Sequence, residues 1–79
     1  MLPPNLPSDI SQGRLAKAFE KVGFVIDYSG GKGGHYKLVD PKTNKFITLQ
    51  SKIWKVVLKD KLKQAEALGY DASEIMSNY

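Results

Sequence analysis

No cysteine occurs in the 79 residues of this chain, so side-chain packing and backbone hydrogen bonding must hold it folded without disulfides. Thiolate metal sites are excluded on the same ground. A chain this short has room for one domain built on one core. The apolar fraction is 42% and the charged fraction 25%, which is globular composition rather than that of a disordered or fibrous chain. The Pro-rich start, Met1 to Pro7, lacks the charged-then-apolar layout of a signal peptide, and no apolar run approaches membrane-spanning length. The expectation is a cytoplasmic domain with no membrane partner.

Periodicity gives the order of the elements. Residues 1–8 read as an extended lead-in, because prolines lack the amide donor and restrict their neighbours. Ser8 or Ser11 can cap a helix over 9–22, where Leu15, Ala18, Phe19 and Val22 recur at helical spacing and Gly23 suits the stop. Phe24 to Tyr28 is β-branched and aromatic, and the run Ser29 to Gly34 breaks it. His35 to Val39 follows as a second strand, Asp40 to Asn44 has turn chemistry, and Lys45 to Leu49 is a third strand. The three make an antiparallel meander over 24–49. From 52 to 69, Trp54, Val57, Leu58, Leu62, Ala65 and Leu68 return to helical spacing, and a short last helix is expected over 72–78. The predicted class is α+β, in the order α-β-β-β-α with a small extra helix. Both main helices are expected on one face of the three-stranded sheet.

Charge is distributed unevenly along this order. Residues 1–31 balance, and residues 64–79 carry Glu66, Asp71 and Glu74. Between 32 and 63, nine lysines face only Asp40 and Asp60, a local excess of seven positive charges. Such a field attracts polyanions and speeds their encounter. The plainer reading is a solvated lysine surface that keeps a small domain soluble.

Few residues are equipped for chemistry. The run Gly30-Gly31-Lys32-Gly33-Gly34 is not a P-loop, since the required spacing and the Lys-Ser/Thr pair are missing and it joins two strands. Its glycines still let backbone amides approach a phosphate, although a simple hairpin loop needs no more than this. His35 is the one histidine, and imidazole is the side chain whose ordinary pKa lies nearest neutrality, as proton transfer requires. It alternates with Lys37, so a base and a cation share one face while Tyr36 and Leu38 point to the other. That pairing suits phosphodiester chemistry. A lone surface histidine is the commoner case. One histidine without cysteines or clustered carboxylates offers no metal site, and no cofactor is expected. A Ser-His-Asp or two-carboxylate mechanism likewise has no candidates. Tyr28, Tyr36, Phe46 and Trp54 can stack on unpaired bases, with core packing the plainer role. Trp54 stands out because it lies between Lys52 and Lys55.

The helix Arg14 to Lys21, the Val22-Gly23-Phe24 that follows, Lys32-Gly33-Gly34-His35, the strand Phe46 to Leu49 and the helix Leu58 to Gly69 together resemble the HicA-type mRNA interferase toxins. The resemblance spans about residues 10–78. It implies a double-stranded-RNA-binding-like fold and ribosome-independent cleavage of mRNA, with His35 at the position of the catalytic histidine. A HicB-type antitoxin is the implied protein partner. Gly34 stands where that family has Ser or Thr, and Leu49-Gln50-Ser51 replaces its frequent Pro-x-His.

The expected mechanism has His35 as general base on a ribose 2′-hydroxyl. Lys32, Lys37 and the amides of Gly33 and Gly34 would stabilise charge on phosphorus. Lys52, Lys55 and Lys59 complete the expected RNA-binding set. The acid for the leaving oxygen is open among Tyr36, Lys37 and His35 in a second role. The main rival is a non-catalytic RNA- or DNA-binding module of the same fold. A domain that binds only protein, through Trp54 and an apolar strand face, is a third class and predicts no salt-sensitive affinity for RNA.

Overall fold

The computed structural model describes residues 2–3, 5–29 and 34–79. Its elements run α1 (Gln12–Lys21), β1 (Val25–Asp27), β2 (Tyr36–Val39), β3 (Phe46–Leu49), α2 (Lys55–Ala67) and α3 (Ala72–Ser77). The strands form one antiparallel sheet in the order β1-β2-β3. This is the expected α+β order, with the last helix present as a sixth element.

Strand alternation decides which face is covered. Ile26 sits opposite Leu38 and Leu38 opposite Ile47, while Tyr36 pairs with Leu49. Leu38, Ile47 and Leu49 are buried on this side against Leu15, Ala18 and Phe19 of α1, Leu58, Leu62 and Ala65 of α2, and Ala72 and Ile75 of α3. All three helices therefore cover a single face. The other face carries Val25 and Asp27, Lys37 and Val39, and Phe46 and Thr48, all exposed except the half-buried Val39.

The helices are shorter than their apolar spacing predicts, for local reasons. Helix α1 starts at Gln12 rather than residue 9 because Ile10 is drawn into an antiparallel bridge with Ile53. Ser11 then caps it, its hydroxyl accepting from the Arg14 amide at 3.4 Å. The same bridge keeps residues 52–54 out of α2, so Trp54 becomes the N-cap residue, with no side-chain cap. Helix α2 ends at Ala67, and Gly69, at φ 93, turns the chain so that the Tyr70 amide donates back to the Ala65 carbonyl at 3.1 Å. Asp71 caps α3 through the Ser73 amide at 2.9 Å.

The lead-in is more than a linker, because Leu6 is buried, as is Ile10 just beyond it. Phe24 leaves strand β1 for the core, packing edge-on against Phe19 at 5.2 Å and against Tyr70 at 4.3 Å between ring centroids. Asp40, which opens the turn expected over Asp40 to Asn44, is shut off from solvent. Its carboxylate accepts from the Tyr70 hydroxyl at 2.7 Å, the Thr43 hydroxyl at 3.0 Å and the Lys42 amide at 3.2 Å. A buried carboxylate is tolerated when its lone pairs are met in this way. The Tyr70 hydroxyl bond is the main cause that holds the Asp40 carboxyl below its ordinary value. Desolvation, aided by the same bond, pushes the Tyr70 hydroxyl up to about 12.

Candidate nucleic-acid interface

One end of the sheet gathers most of the residues in question. Because Tyr36 pairs with Leu49, the start of β2 and the exit from β3 lie side by side. Gly34 and His35 arrive there, and Gln50, Ser51 and Lys52 leave from it. The Ile10–Ile53 bridge brings the starts of α1 and α2 to the same place.

Gln12, in the first turn of α1, links these segments. Its side-chain amide donates to the Gly34 carbonyl at 2.6 Å and to the Leu49 carbonyl at 3.1 Å. The residue directly before His35 is thus tied to both a helix and the neighbouring strand. Gly34 itself has φ 72, and a methyl group built on it would meet nothing within 4 Å. Its glycine answers a backbone requirement, since left-handed φ is costly for a side chain with a Cβ. That is a physical reason for a glycine directly before His35.

His35 is half-buried and directly precedes β2, which begins at Tyr36 instead of at the histidine. Carrying β2's alternation one step back puts His35 on the solvent-facing side with Lys37. The ammonium of Lys37 lies 4.9 Å from the centre of the Phe46 ring. Phe46 pairs with Val39, farther along β2, so this cation leans along the sheet away from the histidine. Tyr36 is on the helix-covered side, packed edge-on against Tyr28 at 4.9 Å, which separates it from the Lys37 face. Of the three candidate acids it is the one the topology sets apart from the sheet's open side. Desolvation is the leading cause that raises the neighbouring Tyr28 hydroxyl above its ordinary value.

Lys52, Lys55 and Lys59 are all exposed. Lys52 precedes α2, Lys55 opens it, and Lys59 follows one turn later on the same helix face. Trp54, between the first two, is 57% exposed, so it is free of the core-packing role. No acidic residue occupies the first turn of α2. Its leading amides and Lys55 therefore present positive potential at the His35 end of the sheet. The expected contributions of Lys32 and Gly33 lie outside the described residues.

Among the described residues no enclosed pocket forms, and no group of three or more His, Asp or Glu side chains is placed to hold a metal ion. None of the described helices is long and apolar enough to cross a membrane. Asp27, directly opposite Lys37, is engaged by Ser29, whose hydroxyl and amide donate to it at 2.6 and 3.0 Å. The Ser29 hydroxyl is the main reason its carboxyl sits below the usual range. Sequence reasoning missed Gln12, whose only signal was a polar side chain beside a helix cap. It also missed the diagonal contact of Lys37 with Phe46. Comparison of the chain with protein-family models, with curated protein sequences and with solved structures finds no match.

Proposed function

We propose that this chain is an RNA-cleaving toxin of a toxin–antitoxin pair, a metal-independent mRNA endoribonuclease of the HicA type on a double-stranded-RNA-binding-like fold. The observation that carries the reading is the position of His35. It follows a carbonyl pinned by Gln12, at the sheet end where Lys52 and Lys55 lead into α2. His35 takes the proton of a ribose 2′-hydroxyl, and that oxygen attacks the adjacent phosphorus as the bond to the 5′-oxygen breaks. The products are a 2′,3′-cyclic phosphate and a 5′-hydroxyl end. Lys32, Lys37 and the amides of Gly33 and Gly34 offset charge on phosphorus, and Lys52, Lys55 and Lys59 hold the backbone of the strand. The leaving oxygen receives its proton from His35 in its second role, or from Lys37 once its ammonium swings back from the Phe46 ring. A HicB-type antitoxin covering this end would silence it, and a cytoplasmic setting accompanies the reading.

A second reading is a non-catalytic RNA- or DNA-binding module. It is favoured by the glycine in left-handed backbone at the hydroxyl position and by the separation of Tyr36 from the open face. Incubation with RNA in EDTA separates the two. Strand scission, absent when the 2′-hydroxyl at the cut site is replaced by hydrogen, supports the nuclease. A footprint on intact RNA supports the module.

A further inference from the structure

We propose that the solvent-facing side of the sheet is a stacking platform for an unpaired RNA base, with Phe46 as its ring and Lys37 as its cation. This rests on the RNA reading above and names the part of the substrate that the sheet face would take. The register places Val25 opposite Val39 and Val39 opposite Phe46, so three apolar side chains cross the sheet in one row. Val25 is 58% and Phe46 52% exposed. The adjoining row is Asp27, Lys37 and Thr48, and the Lys37 ammonium rests 4.9 Å from the Phe46 ring centre. By alternation, His35 heads the same face.

The dimensions of the patch decide what fits it. A stable protein interface draws on roughly 20–30 residues a side, whereas this row offers three apolar side chains bordered by polar ones. A nucleobase is a flat π-system of about the size of the Phe46 ring and its neighbours, and it needs only one such ring. The Lys37 side chain is long enough to exchange the ring for a phosphate as a base takes its place. Within a duplex the base faces are already stacked, so the platform accepts only unpaired RNA. Phe46 pairs with Val39, four residues beyond His35, or roughly 13 Å along β2. A strand held on Phe46 thus continues within a short span to the histidine.

The test uses the full chain carrying His35→Ala, so that RNA stays intact, with a short fluorescein-labelled oligouridylate, free or annealed to its complement. The expected result is tighter binding of the free strand. Adding Phe46→Ala should weaken that binding by about tenfold without changing its salt dependence, and Phe46→Trp should restore it. Because the side chain is exposed, circular dichroism should find these variants folded. If the free strand binds and Phe46→Ala leaves its affinity unchanged, the platform is overturned and the RNA reading survives. If the oligonucleotide does not bind at all, both the platform and the RNA reading fall.

Discussion

The side-chain amide of Gln12 donates to the Gly34 carbonyl at 2.6 Å, so the residue before His35 is held by the first turn of α1. Its second bond, to the Leu49 carbonyl, fixes the end of β3 at the same point. Gln12→Ala removes both. The expected cost is about 1 kcal/mol of stability, measured as a lower urea midpoint. RNA cleavage should fall by more than the small unfolded fraction explains. Gln12→Glu, which keeps the size but loses the donors, should behave like the alanine variant.

Gly34 stands in left-handed backbone with open space beside it. Gly34→Ser and Gly34→Ala should each destabilise the fold by about 1 kcal/mol through backbone strain alone. Equal losses for the two variants in denaturant unfolding check this. A serine variant as stable as the parent would show that the φ of this residue relaxes freely.

These two residues mark where the sequence stops being legible. The Ser11 cap, the Leu15, Ala18 and Phe19 spacing and the Asp71 cap act within one or two helical turns, so the order of letters carries them. Contacts such as Gln12 with Gly34 or Asp40 with Tyr70 join residues 22 and 30 positions apart and leave no periodic trace. Helix boundaries failed for a related reason: the Ile10–Ile53 bridge competes with helix formation at both starts, and neither segment alone announces it. Asp40 read as a turn residue because the turn is real, but Tyr70, which follows α2 in the chain, bonds it out of water. At the candidate site, His35 and the lysines were visible as residue types. Alternation alone put His35 and Lys37 on one face, and that the helices leave this face open became visible only once the register and the packing were known.

The Asp40–Tyr70 pair sets a pH window for stability. Asp40 titrates below its ordinary value when folded, so its contribution is present above about pH 4 and lost as pH falls through the folded value. Tyr70 titrates at about 12 when folded, against an ordinary 10, so its contribution is complete below pH 10 and lost as pH rises toward 12. Tyr70→Phe should lower the thermal midpoint near neutrality, move the acid-side loss to higher pH and flatten the alkaline limb. Thermal melts across pH report all three.

Lys52, Lys55 and Lys59 make the electrostatic part of the account measurable. Replacing all three by Gln should weaken RNA binding at low salt and reduce the slope of log affinity against log salt by about two units if each meets a phosphate of a single strand. All three are exposed, so the fold should be unaffected. An unchanged slope would remove them from the interface.

The most direct measurement compares the parent with His35→Ala on RNA in EDTA, after thermal unfolding has shown both to be folded. The predicted result is scission by the parent, with 2′,3′-cyclic phosphate ends, and intact RNA with the variant. Scission of the same RNA at the same bonds by folded His35→Ala would contradict the assignment of His35 as the catalytic base.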